Sequence, residues 1–355
     1  MTQPAPRESA HSSQLDVLKG MAILLVVAGH VLNRSPWPDP QLRLVAGWLV
    51  RLVYSFHIPL FFMLSGALFG GLRGGGPLRY IAGRYLRLML PLGVYALLYH
   101  LMFHPGQGDV WSSLARLYVW GNHWALLSMP TQAVLWFFPA LLCLNCLALT
   151  TGFFERLGPL WGLVALLTLQ MACLWVFSQG IDRRYVPYCL DVALVSLFFF
   201  HAGRVAAERL KRPAPVQGRG LRLTAALSLL VLLAFVYASR PYESLDVLRL
   251  RLWEMPLMDL SAITGAAACV LLSGTLARHL PWLEECLGLF GRHSLPIFGM
   301  HMFVVSGVMN LKLLPTWWVR LVLTFVLAVL LPWSFARFIA RHSRPTRWLF
   351  LGGRV

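Results

Sequence analysis

Apolar stretches near or above the roughly 20 residues needed to cross a bilayer recur along almost the whole chain, each separated from the next by a short segment holding Arg, Pro, Gly or Asp. A water-soluble core is excluded by the same feature. Hydrophobic residues make up 58% and charged residues 13% of the 355, where soluble domains carry about 25% charged residues. The expected fold is an all-α integral membrane protein with about ten transmembrane helices, near 18–33, 52–70, 88–104, 133–152, 159–178, 189–205, 223–239, 258–277, 294–310 and 317–336.

An even number of spans puts both termini on one side. Most Lys and Arg then fall in alternate loops, at Arg73, Arg79, Arg84 and Arg87, from Arg204 to Arg222, and from Arg337 to Arg354. Positive residues favour the cytoplasmic side, so both termini are expected there. The net charge of +17 would suggest nucleic acid in a soluble protein, but these cations sit at helix ends and in short loops, where membrane lipids are the expected partners and nucleic acid is not. The expected organisation is a poorly ordered cytoplasmic tail over 1–14, a transmembrane domain over 15–340 and a basic cytoplasmic tail over 341–355. The first residues contain Ser, Pro and Glu8 and lack the short basic start of a secretory signal peptide.

The first apolar helix carries the strongest chemical signal. Lys19 and His30 are eleven residues apart, and at about 100° per residue they return to within about 20° of one direction, some 16 Å apart along the axis. Lys19 is expected at the cytoplasmic surface and His30 near mid-membrane. Asp16 lies one turn below Lys19 as a partner for it or for another group at the boundary. An ionisable side chain at that depth is a functional hypothesis by default. The bland reading makes His30 a packing residue hydrogen-bonded to a neighbouring helix and Lys19 a snorkelling cation.

Further blocks follow. Phe56-His57-Ile58-Pro59-Leu60-Phe61-Phe62-Met63-Leu64-Ser65-Gly66 opens the second helix, and Arg84-Tyr85-Leu86-Arg87 marks a basic helix entrance. Trp136-Phe137-Phe138-Pro139-Ala140 and Ser294-Leu295-Pro296-Ile297-Phe298 with His301 come later. Together with Lys19, ten residues and His30, these five blocks in order resemble the acyltransferase-3 family of membrane-bound acyltransferases, over about residues 15–340. The chain looks like the stand-alone form, similar to fucose 4-O-acetylase-like and exopolysaccharide or xanthan O-acetyltransferases. It has Lys19 where many members have Arg, which keeps the charge and loses the bidentate geometry.

The resemblance implies an acyltransferase using acetyl-CoA as donor, with a glycan or lipid-linked oligosaccharide as acceptor, in a bacterial inner membrane. Polysaccharide assembly proteins would be further partners. Arg84 and Arg87, three apart, would hold the anionic nucleotide end of the donor with Lys19; plain positive-inside anchoring is their other reading. His30 would deprotonate an acceptor hydroxyl or take the acyl group itself, with Lys19 and His57 as further catalytic candidates. His57 stands before Pro59, which should break or kink the second helix. Asp16, Ser65, Trp136 and His301 are candidates for contact with substrate, although Ser65-Gly66 also suits close helix packing. A succinyl donor would enter a similar site.

No metal is expected. His100 and His104 are spaced i to i+4 without a nearby carboxylate, and Cys143 and Cys146 have no second pair, so packing is the better account of both. His201 reads as a core or helix-end residue. Trp111, Tyr118, Trp120, His123 and Trp124, in the long outside segment 105–132, read as interfacial anchors or as a surface for sugar rings. The competing functional class is a secondary transporter, which would call for paired half-helices in an internal repeat and would leave the Arg84-Arg87 motif unexplained. A non-catalytic scaffold for polysaccharide export would make His30 dispensable.

Overall fold

The apolar runs fold into helices, and no strand occurs among the described residues. The computed structural model describes residues 6–72, 76–104, 109–121, 133–210, 255–310 and 316–353, with Gly106 and Leu252. Among the described residues, seven helices are long and apolar enough to cross a membrane: Gln14–Arg34, Pro40–Ala67, Pro77–Phe103, Pro159–Ser178, Pro187–Ala207, Met255–Gly274 and Trp317–Ile339. Two shorter apolar helices, Val134–Leu147 and Ser294–Asn310, fill two more of the expected positions. The expected helix at 223–239 lies outside the described residues. The chain is a multi-pass membrane protein.

In chain order the helices are α1 (Pro6–Arg34), α2 (Pro40–Tyr54), α3 (His57–Ala67), α4 (Pro77–Phe103) and α5 (Val110–Trp120). After a 3-10 turn at Ala133–Trp136 come α6 (Phe137–Leu147), a single helical turn at Gly152–Arg156, α7 (Pro159–Ser178) and α8 (Leu190–Leu210). The last five are α9 (Met255–His279), α10 (Pro281–Arg292), α11 (Ser294–Asn310), α12 (Trp317–Ala340) and α13 (Arg344–Leu351).

Four local outcomes differ from the sequence-based expectation. The stretch expected as a poorly ordered tail is helical from Pro6, as the start of α1. The second span begins at Pro40, twelve residues earlier than expected, because Asp39 caps α2 by accepting from the Gln41 N–H at 2.6 Å and Pro40 fills the first helical position, where no N–H is needed. Arg43 and Arg51 had masked that helix as polar. The same span is broken at Ser55-Phe56, between α2 and α3.

The third difference concerns the segment read as an outside loop. Asp109 caps α5 by accepting from the Trp111 and Ser112 N–H groups, and the Tyr118 hydroxyl donates to the Met89 carbonyl at 3.0 Å. Met89 lies fourteen residues before the end of α4, about 21 Å along its axis, so α5 runs back down beside α4 instead of lying at the surface. His123 and Trp124 fall outside the described residues. The following apolar helix, expected to span 133–152, covers about 21 Å, too short for a ~30 Å hydrocarbon layer. It begins beside Tyr95, where Phe138 packs at 6.3 Å, and ends near Tyr80, which donates to Asn145 at 3.1 Å. α5 and α6 thus share one crossing.

Fourth, the segment expected as a C-terminal tail contains α13, docked on α4, α11 and α12. Two helix contacts bring backbones closest together. At α3 against α8, any Cβ on Gly66 or Gly203 would collide with the Phe200 or Met63 backbone. At α1 against α10, Gly20 meets the Leu287 carbonyl and Gly291 meets the Asp16 carbonyl. Close backbone approach through small residues is how helices gain contact area in lipid.

Candidate active site

Three imidazoles converge where α1, the α2–α3 break and α11 meet. His30 and His301 have ring centroids 5.2 Å apart. Tyr54, the last residue of α2, bridges the other pair: its hydroxyl lies 3.2 Å from His30 Nδ1 and its ring 5.0 Å from that of His57. His57 and His301 are buried.

The break that creates this corner follows from Pro59. In a continuous helix its ring would meet the carbonyl four residues back, at Ser55, and it has no N–H to offer that carbonyl. The chain instead restarts at His57, placing Pro59 in the first turn of α3, where a missing N–H is harmless. The expected effect of Pro59 is therefore present, displaced upstream.

The hydrogen bonds fix which ring nitrogens are available. His57 Nδ1 lies 2.8 Å from the Val53 carbonyl, and His301 Nδ1 lies 2.8 Å from Phe298 O and 3.2 Å from Ile297 O. A carbonyl only accepts, so both Nδ1 atoms carry the hydrogen and both Nε2 atoms of the neutral rings present a lone pair. His301 Nε2 is buried with no hydrogen-bond partner among the described residues. Such an atom costs about 1–3 kcal/mol unless something fills it, and a substrate hydroxyl is suited to do so.

The cluster has a definite level along α1. Within Gln14–Arg34, His30 stands roughly 24 Å from the first residue and 6 Å from the last. The histidine cluster is nearer the C-terminal end of α1 than its middle. At that end Arg34 donates to Ser306 Oγ at 3.1 Å, and Ser306 pairs with the Tyr99 hydroxyl at 2.8 Å. This bridge ties α1, α11 and α4 together, so α1 and α4 run parallel and their N-terminal ends share the opposite end of the bundle.

There, fifteen residues before Tyr99, a cavity of about 590 Å³ is lined by Arg79, Tyr80, Arg84 and Arg87 of α4, by the Leu68–Leu72 loop and by Trp348 of α13. Arg84 Nε donates to the Tyr80 hydroxyl at 3.2 Å and its guanidinium lies 5.2 Å from the Tyr80 ring centre. Tyr80 donates to Asn145 Oδ1, and Asn145 Nδ2 donates to the Leu141 carbonyl at 2.7 Å. A chain from α6 thus holds Arg84 in place.

The other expected residues are distributed differently. Lys19 Nζ is 2.6 Å from Asp16, whose second oxygen lies 3.7 Å from Arg292 of α10; this pair faces α10 and not the histidines. Ser65 donates to the Phe61 carbonyl within its own helix at 2.8 Å, as a packing residue does. Trp136 is buried and reaches the histidines only through a run of rings, Trp136 to Phe137 at 6.1 Å, Phe137 to Phe298 at 4.9 Å and Phe298 to His301 at 5.8 Å. Sequence reasoning missed Tyr54, Arg34, Tyr80, Asn145 and Trp348. Tyr54 had a signal, one turn before His57, and so did Asn145, a lone amide in an apolar run.

Lone-pair imidazoles stand at one level of the helical bundle and an arginine-lined cavity at the other. A family profile described as an acyltransferase domain, of the acyltransferase-3 type, matches residues 12–337. The chain belongs to that family and is an acyltransferase. Neither a curated protein nor a solved structure matches it.

Proposed function

We propose that the protein transfers an acetyl group from acetyl-CoA to a sugar hydroxyl of an exopolysaccharide or other cell-surface glycan, or of its lipid-linked precursor, in the bacterial inner membrane. The observation that carries this reading is the placement of two sites on parallel helices. From Arg84 to Tyr95, at the level of the histidines, is about 16 Å along α4, a distance suited to a flexible pantetheine arm with its phosphates held at the arginines.

In the direct route the acceptor hydroxyl gives its proton to Nε2 of an imidazole, and its oxygen attacks the thioester carbonyl. The C–S bond breaks, and the proton passes to the departing CoA sulfur. His30 serves as this base when Tyr54 accepts from its Nδ1–H, which leaves Nε2 with the lone pair. In the covalent route the same Nε2 attacks the thioester carbonyl, the C–S bond breaks and CoA leaves as the thiolate. The acceptor hydroxyl then attacks the acetyl-imidazole, the C–N bond breaks and the hydroxyl proton ends on the thiolate. Both routes use the Tyr54 contact to hold the ring. His301 Nε2 would be the alternative acceptor for the hydroxyl proton. Trp37 and Trp317, with ring centres 5.5 Å apart beyond Arg34, add an aromatic surface on that side of the histidines that suits a sugar ring.

The test is transfer of labelled acetyl from acetyl-CoA to glycan in membranes containing the protein, with structural analysis of surface polysaccharide from cells with and without it. Loss of O-acetyl groups with the protein is the expected result. Unchanged acetylation, or equal transfer by a folded His30→Ala variant, removes the assignment. Parallel assays with succinyl-CoA decide donor length.

A further inference from the structure

We propose that α13 is one wall of the donor site and that Trp348 holds the nucleobase of the acyl-CoA donor; this rests on the donor reading above. The cavity at the arginines is not formed by α4 alone. Trp348 faces the same space as Arg79, Arg84 and Arg87, and no acidic residue lines it among the described residues. Three cations suit the phosphates of an adenosine 3′,5′-bisphosphate moiety. A partly exposed indole beside them, 39% accessible, suits a flat base, because stacking on an aromatic face is tolerant of detail and needs no preformed hydrogen bonds. The volume, about 590 Å³, lies within the usual range for cofactor pockets.

The helix is anchored for this task. The Tyr95 hydroxyl donates to the Phe350 carbonyl. Gly352, in the left-handed conformation that ends α13, packs on the Arg87 carbonyl where a Cβ would collide. Gly353 backs the benzo edge of the indole. The tryptophan is thus fixed from behind and presented to the cavity. Lipid headgroup phosphates would satisfy the arginines equally, but they give the indole nothing to stack on.

The experiment uses the full chain in nanodiscs of neutral lipid. Binding of acetyl-CoA and of adenosine 3′,5′-bisphosphate is measured by calorimetry for wild type, Trp348→Ala and Trp348→Phe, beside turnover with acetyl-pantetheine. Trp348→Ala is expected to weaken both nucleotides about tenfold, Trp348→Phe to recover most of the loss, and acetyl-pantetheine turnover to stay level. If wild type binds acetyl-CoA and Trp348→Ala binds it equally well, the wall assignment is overturned. An equal fractional loss with acetyl-pantetheine overturns it too, because a displaced helix and not a lost stacking partner is then responsible. A wild type that binds no acetyl-CoA overturns the donor reading beneath it, and competition by anionic lipid but not by the bisphosphate assigns the arginines to headgroups.

Discussion

The two ends of the parallel pair α1 and α4 are built by different rules. At the histidine end, each ring is tied to the backbone or to Tyr54, and the contributing residues come from four helices packed into the core. At the arginine end, one helix face, a glycine-containing loop and a short terminal helix surround open space. Proton transfer needs an imidazole held at a fixed angle, whereas a polyanion needs charge and room. The contrast separates two kinds of loss, one in kcat and one in donor KM.

The largest expected effect is at the histidine end. His30→Ala should lower kcat about 100- to 10,000-fold, the usual range for a general base, with donor KM nearly unchanged. His301→Ala should fall toward the lower end of that range. Tyr54→Phe, which keeps the ring and removes the hydroxyl beside His30, should cost roughly tenfold. The measurement is initial rate against acetyl-CoA concentration in nanodiscs. A large KM change with constant kcat in any of the three would merge the two ends into one site and break the comparison.

Next in size, Arg84→Ala and Arg87→Ala should each raise donor KM about tenfold or more with little change in kcat, as loss of a charge-assisted contact predicts. Asn145→Ala acts on the same end at one remove, by releasing Tyr80 and then Arg84. It should raise KM only several-fold, and Arg84→Ala should abolish its effect in a double-mutant cycle. Additive losses would show that Asn145 supports the fold and not the arginine.

How much of this was legible beforehand depends on the length scale of the signal. A run of apolar residues is local, so the described helices overlap nine of the ten expected positions, although the second and third begin early, at Pro40 and Pro77, and the one expected at 133–152 is short. His30, His57, Arg84 and Arg87 stood out as candidates because each carries a charge or an imidazole into an apolar context. Tyr54 and Tyr80 were missed because an aromatic in an apolar helix carries no such mark; only the neighbouring helix reveals a hydroxyl aimed at His30 or Asn145. The folding back of α5 depends on Tyr118 meeting Met89, a contact between helices that no periodicity encodes. The docking of α13 likewise rests on Tyr95 and Gly352, far from it or too small to stand out.

The smallest expected effect falls on the residue that the sequence pattern rated among the highest. Lys19 is bound to Asp16 at 2.6 Å with both side chains about one-fifth exposed, and Arg292 of α10 stands behind the same carboxylate. The pair therefore holds α1 against α10 at the seam made by Gly20 and Gly291, and its value is that of a partly solvated ion pair, about 1 kcal/mol or less. Lys19→Met should lower the melting temperature by a few degrees and leave kcat within about threefold. Asp16→Asn should do the same, and the double substitution should cost no more than either alone, because the partners share one interaction. A loss of turnover in Lys19→Met comparable to that in His30→Ala, without thermal destabilisation, would instead put this cation in contact with the donor, and the separation of the helix-positioning pair from the reaction path would have to be abandoned.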